Sequence, residues 1–235
     1  MSTPTPKVDF EAARQLWAGR FQAVLSTQSQ AERGYPFGSV VPYCLDYQGL
    51  PLLLLSHLAQ HTKNLTEDPR CALTLYEATD DVQQSERLTC IAECFAVPPN
   101  DFAAHRRFFR YYPNNRVYHE QLNFRLFRLT PRRFHYNGGF ATARWLGPER
   151  ILRISPFGEQ EIMLADQITE HYAPELESLI DSPSTEGAPV RIAGIDSWGL
   201  DLGRGPLLRR RPFPQAFESI EAISDFLNPQ RAVGN

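Results

Sequence analysis

The segment from Leu52 to Tyr76 constrains the fold of this chain most, because it places one short polar helix between two apolar strands. Four leucines open it, and an apolar run of that length predicts a buried strand. The polarity changes at Ser56, so we predict that Ser56 or His57 caps a short helix. Pro69 ends that helix, because the residue before a proline avoids the α region. A second strand, 71–76, follows at once.

Polar side chains cluster around the predicted start of this helix: Ser56, His57, His61, Thr62 and Lys63. A helix start has free backbone N–H groups and the positive end of the helix dipole, and these side chains add further donors. One interpretation is therefore an anion pocket. The other is an ordinary capped connector helix, which the local physics alone favours.

Composition excludes several classes of protein. The net charge of -3 argues against a general nucleic-acid binder, which carries a basic excess. No apolar run approaches the roughly 20 residues that cross a bilayer, and the N-terminus lacks the apolar region of a secretory signal. With four cysteines, which we interpret as small core residues, we expect a reducing compartment, the cytoplasm.

Residues 1–148 are predicted to form a mostly β unit with short strands. The strand at 87–97 alternates, and one of its faces carries mostly Cys and Ala, which suggests the close approach of another layer inside a barrel. The next helix, up to about residue 111, mixes arginines with aromatic residues. A buried aromatic side and a solvated basic side explain that pattern more simply than a nucleic-acid or cofactor surface.

Residues 122–136 are rich in strand formers, with a predicted break at Pro131. Asn137, Gly138 and Gly139 follow and predict a tight turn that depends on glycine. Four arginines and one histidine precede the turn, and we expect them to lie close to it: Arg125, Arg128, Arg132, Arg133 and His135.

Residues 149–235 form a second predicted domain with a different pattern. A helical segment runs from 159 to about 180, and Pro174 kinks or divides it. Three short strands and a closing helix follow. The expected order is α-β-β-β-α, so the chain as a whole is of the α+β class.

Two stretches of sequence resemble a known superfamily. GYPFGSVVPYCLDYQGLPLLLLSHLAQHTKNLTEDPRCALTL, residues 34–75, is similar to the pyridoxamine-phosphate-oxidase-like split barrels, specifically their HugZ-type haem-utilisation branch and its CREG-like barrel. TEHYAPELESL, residues 169–179, and RIAGIDSWGLDLGRGPLLRRRPFP, residues 191–214, resemble the small domain that often follows that barrel. The implied fold is a six-stranded antiparallel split β-barrel of the FMN-binding type, followed by the small α/β domain.

The resemblance implies a homodimer that holds FMN or haem in a cleft between its two barrels. The cofactor-binding residues that we predict are Ser56, His57, His61, Thr62, Lys63, Asn137, Gly138 and Gly139. In flavin-binding relatives the region that matches 56–63 holds the FMN phosphate. In the haem-degrading branch a histidine outside the barrel binds the iron, and His171 is the candidate here, since imidazole offers a neutral nitrogen donor.

The predicted function is therefore that of an FMN- or haem-binding protein, either a flavin-dependent oxidoreductase or a haem oxygenase-like protein. We assign no catalytic residue. The alternative is a non-catalytic split-barrel dimer that has lost its cofactor and serves as a binding or regulatory module.

Overall fold

An antiparallel barrel dominates the computed structural model, which describes residues 10–77, 79–81, 83–139, 143–180 and 188–227. The barrel strands are β1 (Gln22–Gln28), β2 (Pro36–Leu45), β3 (Pro51–Ser56), β4 (Arg70–Tyr76), β5 (Arg87–Ala96) and β6 (Phe124–Asn137). They follow the order β3-β2-β1-β4-β5-β6, and pairing of β3 with β6 closes the barrel. A short strand, β7 (Arg144–Leu146), extends the sheet beyond β6. The predicted six-stranded split barrel is confirmed.

The remaining elements within the described residues are seven α-helices, three single-turn 3₁₀ helices and a small second sheet. The helices are α1 (Phe10–Gly19), α2 (Gln60–Glu67), α3 (Phe102–Tyr111), α4 (Arg116–Gln121), α5 (Glu161–His171), α6 (Ala173–Leu179) and α7 (Ile220–Leu227). The small sheet has the order β10-β9-β8, from β8 (Arg191–Asp196), β9 (Gly199–Arg204) and β10 (Leu207–Pro212). The predicted α-β-β-β-α order is present, with α5 and α6 divided near Pro174.

The barrel interior is filled by the alternating inward residues of its strands. On β5, Leu88, Cys90, Ala92 and Cys94 are all buried, as the small-residue face predicted. All four cysteines of the chain are free and buried, which confirms their interpretation as core residues. Helix α1 covers one end of the barrel, where Trp17 packs edge-on against Phe134 at 4.9 Å between ring centres.

The predicted break at Pro131 is wrong, because β6 runs without interruption from Phe124 to Asn137. Pro131 lies opposite Ala92, where the register between β5 and β6 shifts. A proline has no N–H to donate, so an irregularity in the ladder is a place where a strand tolerates it. The strand therefore continues through the proline.

Helix α3 departs from the predicted division into a buried aromatic side and a solvated basic side. Phe108 and Phe109 are buried as expected, but Phe102 is 67% exposed. Arg107 is only 4% exposed, although its neighbour Arg106 is solvated. The buried arginine indicates that another part of the chain supplies it with a counter-charge.

The barrel and the C-terminal elements share a hydrophobic cluster. Leu52 and Leu54 of β3 and Phe108 of α3 belong to it, together with Ala193 of β8 and Leu208 of β10. The division of the chain at residue 148 stays a prediction. No helix in the described ranges is long and apolar enough to span a membrane.

Candidate functional site

A cavity of about 380 Å³ lies where α2 meets the ends of β3 and β5 and the start of β6. Its apolar lining consists of Leu55, Leu65, Pro69, Cys94, Phe95, Ala96 and Phe127. Its polar lining consists of His57, Thr62, Lys63, Thr66 and Arg125. No acidic side chain from the described part of the chain lines it. The cavity thus combines an apolar floor with a rim of donors and cations.

Lys63 and Arg125 give this rim its permanent positive charge. Both residues are exposed, and neither has an ion-pair partner among the described residues. Arg125 reaches the cavity because β6 pairs with β3 and sets it opposite Leu55. Its predicted position near the 137–139 turn is wrong, since that turn lies at the other end of β6. Two unpaired cations on one cavity attract an anionic ligand.

Thr62 adds a buried hydroxyl to the same cavity. The residue is 8% exposed, and its Oγ1 has no hydrogen-bond partner among the described residues. Leaving a buried polar group unsatisfied costs about 1–3 kcal/mol, so such groups call for an explanation.

The predicted residues between 56 and 63 divide into two groups. His57, Thr62 and Lys63 line the cavity, whereas Ser56 and His61 do not. The Ser56 Oγ accepts a hydrogen bond from the Leu58 backbone N–H at 3.3 Å. The His61 Nδ1 lies 3.0 Å from the hydroxyl of Ser39 on β2, and burial lowers the pKa of His61.

Helix α2 begins at Gln60, so the predicted cap at Ser56 or His57 is wrong. The residue at the cap position is Ala59, whose side chain makes no capping hydrogen bond. Ser56 is instead the last residue of β3, where it pairs with Phe124 of β6. Strand pairing across the barrel holds Ser56 in an extended conformation, and it outweighs the local preference of serine for a helix start.

Asn137, Gly138 and Gly139 form the predicted tight turn. The Asn137 Oδ1 accepts a hydrogen bond from the Gly139 N–H at 3.0 Å, and Gly139 has a φ of 104°, which favours glycine. Asn137 pairs with Arg87, whereas the start of β6 pairs with Ser56. About 43 Å of strand separates the two ends of β6. Within one chain the turn does not line the cavity.

His171 ends α5 and is exposed. Its Nδ1 lies 2.8 Å from the carbonyl oxygen of Gln167. A carbonyl only accepts, so Nδ1 carries the proton and the neutral ring keeps the Nε2 lone pair for a metal. His171 does not line the cavity. Within the described ranges, no group of three or more His, Cys, Asp or Glu residues could hold a metal ion.

A second cavity, of about 440 Å³, lies between α1, the barrel and the small sheet. Several of its charged residues pair with one another: Arg153 with Glu11 at 2.5 Å, and Arg210 with Asp196 at 2.6 Å and Asp201 at 2.9 Å. These charges are already neutralised, so this cavity has less to offer a charged ligand. Sequence reasoning missed it, because residues far apart in the chain form it.

Comparison with protein families and curated proteins gives two matches. The family model described as CREG, beta-barrel matches residues 4–151. The non-canonical haem oxygenase HOZ of the Arabidopsis thaliana chloroplast is 31% identical over 189 residues. That alignment covers 80% of this chain and 56% of the relative, so this chain spans little more than half of the relative's length.

Comparison with solved structures supports the same fold. A protein of unknown function from Agrobacterium tumefaciens has a TM-score of 0.75 at 24% identity, and the match covers 97% of this chain and 98% of that one. A haem-binding protein from Mycobacterium smegmatis has a TM-score of 0.56 at 23% identity, and the match covers 100% of both chains. At these identities the two structures establish the fold alone.

Proposed function

This chain belongs to the CREG β-barrel family, and from that premise we propose that it is a haem-utilisation protein, haem oxygenase-like, that binds haem at the α2 cavity and acts as a homodimer. The observation that carries the proposal is the cavity itself. Unpaired Lys63 and Arg125 border an apolar floor. The haem oxygenase among the relatives supports the choice of haem.

The donor set of the cavity fits the two chemical parts of haem. Leu55, Phe95 and Phe127 offer apolar contact to a flat macrocycle. Propionates are carboxylates, and an arginine is well suited to bind one through two N–H groups. Bound haem would supply an iron centre for oxygen chemistry. The protein itself would hold the propionates, provide a nitrogen ligand to the iron and keep water away from the apolar floor.

FMN is the second candidate, and the compact group of donors on α2 favours it. Thr62 and Lys63 are adjacent in sequence and both line the cavity, so they could hold a single phosphate group as readily as a propionate. The two ligands have different visible spectra, and one experiment therefore distinguishes them.

The test is a titration of the purified protein with haem and, separately, with FMN, followed by absorbance. We expect a haem Soret shift and tight binding. The double variant Lys63→Ala with Arg125→Ala should bind at least about tenfold more weakly, because each lost charge-assisted hydrogen bond is worth about 1.5–3 kcal/mol. Arg211→Ala removes an exposed arginine outside the cavity and is the matched control.

Three outcomes would contradict parts of the proposal. Equal losses in the double variant and in Arg211→Ala would place the ligand elsewhere. Binding of FMN without binding of haem would show that FMN, and not haem, is the cofactor. If neither ligand changes the spectrum, the proposal fails and the alternative, a non-catalytic binding or regulatory module, is favoured.

The iron ligand is proposed to be His171, with His57 as the alternative imidazole because it lines the cavity. His171 lies outside the cavity lining, so it would serve a haem held between two copies of the chain. His171→Ala and His57→Ala separate the two: only loss of the true ligand should change the spin state of bound haem. Asn137, Gly138 and Gly139 are proposed to reach the same cofactor from the second copy.

The proposed dimer surface, the outer barrel face, is defined by Val24, Val40, Thr74, Thr89, Ile91 and Phe95. Register aligns Val40, Val24, Thr74 and Thr89 in one row across β2, β1, β4 and β5. The row has no charged residue, and Val40 is 71% exposed. Phe95 also lines the cavity, so the cavity borders this face, as a cofactor cleft between two barrels requires.

We also propose a cytoplasmic location. The four free, buried thiols support a reducing compartment. Fractionation of cells that express the tagged protein would test this, and recovery with an exported or organellar fraction would contradict it.

A further inference from the structure

Two histidines outside the cavity, His105 on α3 and His119 on α4, form a close pair. Their ring centres lie 5.2 Å apart, with an angle of 45° between the ring planes. Phe109 packs against both rings, at 6.5 Å from His105 and 5.5 Å from His119. The proposed function makes no use of this pair.

The tautomer of His119 follows from its backbone contact. Its Nδ1 lies 2.7 Å from the carbonyl oxygen of Phe124, which can only accept, so Nδ1 carries the proton. The neutral ring therefore presents the Nε2 lone pair. A ring N–H held by a backbone carbonyl is the arrangement that orients metal-binding histidines in proteins.

His105 presents the same nitrogen. Its Nε2 is buried and has no hydrogen-bond partner among the described residues. A backbone hydrogen bond with Pro98 engages the ring, and because Nε2 is unpartnered this bond belongs to Nδ1.

The spacing of the rings is compatible with a shared metal ion. Imidazole nitrogen binds Zn²⁺ at about 2.0–2.1 Å, which sets each ring centre about 3.2 Å from the metal and two rings on a tetrahedral ion about 5.2 Å apart. The observed separation is 5.2 Å. Imidazole suits zinc, copper and nickel, whereas magnesium and calcium prefer oxygen.

We infer that His105 and His119 form a two-imidazole site for a late first-row divalent cation such as Zn²⁺, with water completing its coordination. No third His, Cys, Asp or Glu ligand completes a cluster in the part of the chain that the structure describes. The site is therefore an exchangeable one, and bound metal would join α3 to α4.

The test is calorimetric titration of the chelator-treated, haem-free protein with ZnCl₂, supported by the visible spectrum with Co²⁺. The wild type should bind one equivalent per chain. His105→Ala and His119→Ala should each weaken binding at least about tenfold, as loss of a ligand does. His135→Ala, a half-buried histidine on β6 that packs against Trp145, is the matched control and should bind like the wild type.

Alanine is the best helix former, so both substitutions are compatible with α3 and α4, and equal far-ultraviolet circular dichroism would verify the fold. No Zn²⁺ binding by the wild type would overturn the inference. Undiminished binding by the His105→Ala, His119→Ala double variant would overturn it as well. Haem binding is measured in a separate experiment. A negative Zn²⁺ titration would therefore contradict the metal site without contradicting haem binding at the α2 cavity.

Discussion

At the scale of single residues, burial of His61 couples the stability of the barrel to pH. Burial lowers the pKa of His61 below its ordinary value of 6.5. The unfolded chain therefore binds a proton more readily than the folded one as pH falls through that range. The contribution to stability is complete above 6.5 and is lost at lower pH. His105 shifts in the same direction, so the two effects add.

We predict that His61→Gln flattens the dependence of the free energy of unfolding on pH. The wild type should lose stability as pH falls below 6.5, and the variant should lose less, because glutamine does not titrate. Urea denaturation at several pH values, with chelator present, measures this. If the free energy of unfolding depends on pH equally in the variant and the wild type, His61 makes no contribution to that dependence.

The cavity lining illustrates which single residues local sequence can identify. Thr62, Lys63 and His57 lie within seven positions of each other around one helix start, so a local pattern found them. The local pattern did not identify Arg125, because only the pairing of β3 with β6 brings this residue to the cavity. A search for arginines opposite the end of the leucine-rich strand could have found it once that pairing was assumed.

At the scale of elements, Asn64 attaches α2 to the barrel. The residue is completely buried, and its Nδ2 donates to the Thr27 Oγ1 at 2.9 Å. Its Oδ1 accepts from the Gln30 N–H at 3.1 Å and from the Gln60 Nε2 at 2.8 Å. The residues of α2 that line the cavity are thus oriented by a polar anchor on the helix's opposite side.

Asn64→Ala should lower the free energy of unfolding by about 2–3 kcal/mol, because it removes the three hydrogen bonds of a completely buried side chain. It should also weaken haem binding, since α2 carries Thr62 and Lys63. Glu67→Ala, at an exposed position of the same helix, is the control and should change stability by no more than about 0.5 kcal/mol. Equal effects of the two substitutions on stability would contradict the role of Asn64 in attaching α2 to the barrel.

At the scale of the whole molecule, a buried ion pair joins the barrel side to the C-terminal elements. Arg107 of α3 contacts Glu161 of α5, and both side chains are almost fully buried. Arg107 also donates to the Leu45 carbonyl at 2.5 Å. Glu161 in turn accepts a hydrogen bond from the Ile195 N–H of β8. This counter-charge explains why an arginine on α3 is buried.

We predict that Arg107→Met destabilises the protein by about 3–5 kcal/mol, because it leaves the Glu161 carboxylate buried without a counter-charge. Adding Glu161→Gln should restore part of the loss. The adjacent pair Arg106–Glu159 is 58% and 68% exposed, so Arg106→Ala should cost less than about 1 kcal/mol. Chemical denaturation measures all three, and similar losses for both arginines would contradict the assignment.

The proposed dimer has its own test at this scale. Val40→Lys introduces a charge at the β2 end of the outer barrel face and should convert the dimer to monomers in sedimentation velocity. Ile154→Lys, at a position that is 78% exposed and outside that face, should leave the dimer intact. A monomeric wild type, or a dimeric Val40→Lys variant, would show that this face is not the dimer interface.

The sequence by itself determined the elements whose residues are neighbours in the chain. The leucine strand, the alternating strand at 87–97, the glycine turn at 137–139 and the three-strand order of the C-terminal part all follow from local periodicity and backbone preferences. Tertiary structure decided the rest. Closure of β3 on β6 kept Ser56 extended and brought Arg125 to the cavity. Pairing of β5 with β6 carried β6 through Pro131. Burial of Arg107 likewise depends on Glu161, which is 54 residues away. Strand pairing and buried ion pairs join residues that are far apart in the chain. Local sequence patterns therefore do not identify which distant residue each one contacts.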